Sequence, residues 1–176
     1  NDWVPGLADI TAGQTFSASS IEGGGTPASD AFDGSLAFGD AWRASVPEHG
    51  AGANGVSYLG VQFSSGKTIR KVRIWQGDDG STALRFVTSM LIQYSDNGST
   101  WSTAATTSGM VAKVWHVYDI PSAGSHVYWR VLANSSSGGG DTWIINELEM
   151  TEGTGTNLFW LGTNADVNTS GNAYVA

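Results

Sequence analysis

The stretch that most limits what this chain can become is residues 86–95, where Met90, Ile92 and Tyr94 fall on one side of an extended backbone. Apolar residues at every second position are the pattern of a strand with one buried face, and a helix cannot gather them on one side. Asp96-Asn97-Gly98-Ser99 follows directly, and Asn-Gly is a strong hairpin signal because both residues tolerate a positive φ. Trp101 then closes the hairpin. The same period of two recurs at Leu59, Val61 and Phe63, at Val72 and Ile74, and at Val127, Trp129 and Val131. Residues 110–120 and 143–150 read as further strands and 10–16 as an edge strand. With 24 Gly, eight Trp and only 14% charged residues, composition also favours short strands and turns over helices. One helical turn is expected, over 27–32, with Ser29 as its N-cap. The rest reads as loop: 64–67 is a turn, 76–85 is acidic and Gly-rich, 134–141 is Ser and Gly, and 46–56 carries too many glycines to pack. The expected fold class is all-β.

At 176 residues the chain has room for one domain and a short appendage. The expected division is a β domain over 1–152 and, over 153–176, a linker or tail that docks on the domain or opens a following module. Gly153-Thr154-Gly155-Thr156 has linker composition, and a polar stretch follows it. A formal net charge of -8 repels phosphate backbones, which excludes nucleic acid as a partner. The basic group Lys67, Arg70, Lys71 and Arg73 reads as the solvated side of a strand. There is no Cys, so disulfides, thiolate metal sites and a Cys nucleophile are all ruled out. No apolar run is long enough to span a bilayer, and no basic-then-apolar leader is visible after Asn1.

Between Ala31 and Trp42 lies a loop with two carboxylates, Asp33 and Asp40, a hydroxyl at Ser35 and glycines at 34 and 39, bracketed by Phe32 and Trp42. That composition suits either a tight turn or a loop folded around a hard cation.

The order of blocks resembles the discoidin family, which includes coagulation factor C-type domains and family 32 carbohydrate-binding modules. The blocks are Ala31-Phe32-Asp33-Gly34, Ala41-Trp42-Arg43, Tyr58 to Phe63, Phe86 to Trp101 with Tyr94-Ser95-Asp96-Asn97-Gly98 at its heart, Tyr128-Trp129-Arg130-Val131, and Ile145-Asn146-Glu147-Leu148-Glu149. The similarity spans roughly residues 8–151. The resemblance implies a jelly-roll β-sandwich of about eight strands, galactose-binding-like, with binding loops gathered at one end. It implies a structural calcium ion held by Asp33, Asp40 and Glu147, with Ser35 standing where the family has Asn, in a loop two residues longer than usual. Calcium takes six to eight oxygens, which a glycine-relaxed loop of carboxylates and carbonyls plus one distant carboxylate can offer. In the plainer alternative, Asp33 caps a turn and Glu147 is a surface residue of an edge strand.

The resemblance also implies a shallow sugar site on the loops, and the residues matching that role are His49, Arg85, Asn134 and Trp143. Sugar hydroxyls need paired donors and acceptors, and the apolar ring face needs an aromatic plane. Each has a plainer reading: His49 solvated, Arg85 paired with Asp78 or Asp79, Trp143 in the core. Glu48 and Asn54 could add contacts. Trp42, Trp75, Trp101 and Trp129 are assigned to the core or its rim. The loops lack protruding apolar tips and the protein is acidic, which disfavours membrane lipid. No nucleophile elbow occurs, and adjacent Asp78 and Asp79 point apart, so no enzyme is expected. The expected function is a non-catalytic, lectin-like carbohydrate-binding module with calcium, in an extracellular, cell-surface or virion-surface protein with covalent neighbours in a longer chain. Its partner is the glycan of a polysaccharide or glycoconjugate. A structural or adhesion domain of a phage tail or large adhesin is the alternative.

Overall fold

The computed structural model describes residues 8–37, 39–77, 80, 85–121 and 123–152. Asp78, Asp79 and the 153–176 tail therefore lie outside the described residues. Among the described residues nine strands form two antiparallel sheets: β1 (Thr15–Ala18), β2 (Trp42–Arg43), β3 (Tyr58–Lys67), β4 (Ile69–Gln76), β5 (Met90–Ser95), β6 (Ser102–Thr106), β7 (His116–Asp119), β8 (His126–Ala133) and β9 (Ile144–Glu152). The five-stranded sheet runs β1-β3-β8-β5-β6 and the four-stranded sheet β2-β9-β4-β7. All-β architecture is thus as the alternation predicts, and among the described residues there is no α-helix.

The two sheets close on one core. Leu59, Val61 and Phe63 of β3, Met90 and Ile92 of β5, and Trp129 and Val131 of β8 face Val72 and Ile74 of β4 and Leu148 and Met150 of β9, all essentially without solvent exposure. Apart from Leu148 and Met150 these are residues the period of two picks out, whereas Tyr94 and Val127, picked out with them, are half-buried. Ala31 and Phe32 are also core, with Phe32 stacked on Phe16 of β1 at 4.3 Å between centroids. Trp42 is wholly buried and its indole N–H donates to the Ser20 carbonyl at 2.9 Å. Buried rings thus pin the intervening loop at both ends.

Several boundaries differ from the sequence reading. The single helical turn is a 3-10 turn at Ala28–Ala31 with Pro27, not Ser29, at its cap position, and three more 3-10 turns occur among the described residues. The polar 64–67 stretch does not turn. It continues β3 to Lys67, whose partner across the ladder is His126. The first strand begins at Thr15 rather than residue 10. Of 110–120 only His116–Asp119 is strand, because Lys113 takes a φ of 60°, which no strand accommodates. The 46–56 loop does pack: Glu48, Gly50 and Ala53 are buried, and Gly50–Ala53 forms a 3-10 turn.

Candidate functional site

Three connections converge at one end of the sandwich: 44–57 between β2 and β3, the 85–89 part of the connection between β4 and β5, and 134–143 between β8 and β9. Backbone bonds tie them directly. Gly50 N–H donates to the Asp141 carbonyl at 3.0 Å, Ser137 N–H to Gly50 at 3.0 Å, Gly138 N–H to Phe86 at 2.9 Å and Ile144 N–H to Arg85 at 3.0 Å. Ser137 Oγ also donates to the Asp141 carbonyl. Little of this depends on side chains, which is why Ser and Gly can dominate these segments and still be ordered.

The consequence is a small polar centre around Asp141. One carboxylate oxygen lies 2.9 Å from Arg85 Nη2 and the other 3.7 Å from His49 Nδ1. The latter oxygen accepts the Thr142 N–H at 2.8 Å. At 3.7 Å the imidazole is not hydrogen-bonded to the acid, and the contact gains charge only when the ring is protonated. His49 and Arg85 side chains are 20% and 23% exposed, half-sunk rather than solvated. His49 Nε2 is buried and has no hydrogen-bond partner among the described residues. The centre therefore offers a forked donor, an acceptor and an imidazole within one short span, the group set that pairs with vicinal hydroxyls.

Of the four residues named from sequence for ligand contact, His49 and Arg85 come together. Asn134 is exposed, and its amide donates to Ser89 Oγ, just before β5, at 3.0 Å. Trp143 is a correction: it has no exposed surface, packs edge-on against Trp42 at 5.8 Å and donates its N–H to Gln76 at 2.8 Å, so it offers no ring face to a ligand. Glu48 is buried, bonded by Ser19 Oγ at 2.6 Å. Sequence reading missed Asp141 itself. The available signal was that it is the one carboxylate between Asp119 and Glu147, at the end of a stretch otherwise Ser and Gly.

The other candidate group sits at the 31–42 loop. Glu147 lies on β9, between β2 and β4 rather than at an edge, and is 1% exposed. Its Oε2 accepts the Gly34 N–H at 3.0 Å, joining last strand to first loop. Gly34 has a φ of 82°, a conformation that suits only glycine here. Burial pushes the Glu147 carboxyl up from 4.5 to about 8, opposed by the Gly34 bond and reinforced by Glu149, Asp33 and Asp9. Asp33 Oδ1 accepts the Ser35 N–H at 2.8 Å, and Ser35 Oγ the Ala37 N–H at 3.1 Å. Burial, with the charge of Asp40 and then Asp33, also raises Asp30. The donors are hard oxygens with mutually repelling charge, the chemistry a calcium ion would relieve. Among the described residues no three His, Asp or Glu side chains converge to metal-binding distance.

Comparison with known proteins agrees with this architecture. The model of the F5/8 type C domain family matches residues 15–148. Chitosan-binding module 1 of a chitosanase/glucanase from Paenibacillus sp. IK-5 is 26% identical, with 81% of this chain and 98% of that one covered and a TM-score of 0.61. The family 32 carbohydrate-binding module of C. perfringens NanJ, solved with galactose, is 22% identical over 83% and 98%, TM-score 0.66. The lectin domain of lectinolysin, solved with Lewis B antigen, is 16% identical over 84% and 98%, TM-score 0.65. Curated protein sequences give no match.

Proposed function

The chain belongs to the F5/8 type C domain family, and we propose that it is a non-catalytic, lectin-like carbohydrate-binding module of a secreted or surface protein, with a sugar held at His49, Arg85 and Asp141. The observation that carries this reading is the convergence of three loops on Asp141, which sets the half-buried His49 and Arg85 against one carboxylate. Similarity to modules solved with galactose and with Lewis B antigen supports the ligand class. Arg85 donates to one hydroxyl while Asp141 keeps the guanidinium plane fixed, and the partly exposed His49 side chain borders the same sugar. The site moves no proton and needs no nucleophile.

Calcium forms part of the same reading. Asp33, Ser35, Asp40 and Glu147 would hold it with loop carbonyls, and the ion would supply the positive charge that the buried Glu147 lacks. In that role it joins the first loop to the last strand.

Calorimetry with galactose-, glucosamine- and sialic-type sugars in calcium buffer tests the proposal. Millimolar or tighter binding that falls about tenfold or more in His49→Ala and Arg85→Ala is expected, each variant losing one or two hydrogen bonds to the sugar. No binding to any of them removes it.

A further inference from the structure

The two sheets differ in charge. None of the five strands of the five-stranded sheet contains Asp or Glu, whereas β7 and β9 of the other sheet carry Asp119, Glu147, Glu149 and Glu152. In a protein with 16 acidic and eight basic residues, this is an unusual distribution. The outward side of the acid-free sheet follows from alternation. Gly60, Arg130 and Gln93 lie in one cross-strand row, with Tyr58 and Leu132 in the row beside it and Gln62 and Tyr128 beyond.

Arg130 is at the centre of that face. Its guanidinium lies 4.0 Å from the Trp101 ring centroid and 5.0 Å from that of Tyr58, and its Nε donates to Gln93 at 2.8 Å. No acidic side chain pairs with it among the described residues, while Lys67, Lys71, Arg73 and Arg85 each have one. Asp96, which follows β5, is held by His126 at 2.8 Å. Burial holds the guanidinium below its ordinary range, with Tyr58 opposing. The ring contacts immobilise the fork and, among the described residues, leave its terminal nitrogens without a protein acceptor. A preordered guanidinium of this kind matches a carboxylate with two parallel hydrogen bonds. Half-buried Tyr128 lies two residues along the same strand, with Gly98 packed against its ring.

The geometry points to the outer face of the five-stranded sheet as a second glycan contact, with Arg130 receiving the carboxylate of an acidic sugar residue such as a uronic or sialic acid. The inference rests on the carbohydrate-binding reading. Tyr58 and Leu132, at one end of the face, adjoin the connections that carry His49 and Asp141, so a chain held at the loops can run on across the sheet.

The test is titration of the full chain with an oligogalacturonate and with its carboxyl-reduced, neutral counterpart, in wild type, Arg130→Gln and Arg130→Lys. Wild type should bind the acidic oligosaccharide roughly fivefold or more tightly, the scale of one charge-assisted pair on a partly exposed face. Arg130→Gln should bring the ratio to about one with neutral affinity unchanged, and Arg130→Lys should fall between, a point charge replacing a fork. In wild-type protein the acidic sugar should also shift the Trp101 indole N–H resonance, a readout independent of whether the variants fold. A ratio of one or below, a ratio unchanged in Arg130→Gln, or a stationary Trp101 resonance overturns the inference. Neutral sugar bound without acidic preference overturns it alone; no binding of either sugar overturns the carbohydrate-binding reading with it.

Discussion

A carboxylate can be conspicuous in a sequence and still have its role set by what buries it. Asp33 is visible as a loop acid and does cap a turn through Ser35, one of the two roles its composition allows. Glu147 reads as a surface residue in the plainer alternative. Its burial is not local information, because it arises from β9 lying between β2 and β4. In chelated protein the raised Glu147 pKa has a definite sign. The folded state keeps its proton up to about 8 while the unfolded state loses it near 4.5, so the unfolded state binds fewer protons across that window. Stability is therefore full below about 4.5 and falls as pH rises through about 8. Melting in EGTA should drop by roughly 5 °C or more over that range, and Glu147→Gln should flatten the curve. If the Glu147→Gln variant keeps a curve as steep as wild type, the slope belongs to another group. Asp141 poses the opposite problem, since it has no motif around it and matters through Arg85 and His49. Asp141→Asn keeps the shape but removes the charge, and sugar affinity should fall about five- to tenfold as the Arg85 fork loses its fixed orientation. Calorimetry on a variant with unchanged near-ultraviolet circular dichroism reads that effect without a folding change.

Strands with strict alternation were legible as elements. The core residues of β4, β5 and β8 were picked out by period two, since the buried face alone fixes their register. Elements held by backbone pairing were not. The Ser64-Ser65-Gly66 end of β3 has turn composition, yet the chain pairs again at Lys67 and His126 beyond a register shift. Packing of the 44–57 connection was hidden for a related reason, because its glycines serve close approach rather than flexibility. A Cβ on Gly52 would stand 2.2 Å from the Pro47 carbonyl oxygen. Gly52→Ala should thus cost about 1–3 kcal/mol, and since the clash displaces the segment that presents His49, it should also weaken sugar binding. Chemical denaturation and calorimetry on the same sample check both; an unaffected midpoint would show that the loop yields freely. Trp143 gives the contrast. Trp143→Ala should destabilise by about 3–5 kcal/mol as a core deletion. Trp143→Phe should leave sugar affinity within a factor of about two, as expected for a residue that touches no ligand.

The whole molecule is a sandwich whose ends and faces carry different chemistry: polar loops at one end, acids on the smaller sheet, none on the strands of the larger. Alternation could locate a sandwich but not which strands become neighbours, so the distribution of charge between the sheets became readable only with the strand order. A ligand bound only by the folded state raises its stability by RT ln(1 + [L]/Kd), which makes calcium a whole-molecule variable. At a calcium concentration about 100 times Kd the gain would be about 2.7 kcal/mol, seen as a Tm rise of roughly 5 °C that chelator reverses. Asp33→Ala and Glu147→Ala should abolish the rise, and an equal rise in both would place calcium elsewhere. The division of the chain is testable in the same assay. β9 pairs with β4 as far as Ile69 opposite Glu152, and the division predicted from sequence places the domain boundary there. A chain stopped at Glu152 should keep its Tm within about 2 °C and its sugar affinity, the result expected when the removed segment contributes no core burial. Sedimentation of both lengths then separates the two functional readings. A monomer that binds sugar at either length supports the module, whereas self-association that requires 153–176, in protein indifferent to sugar, supports an assembly domain instead.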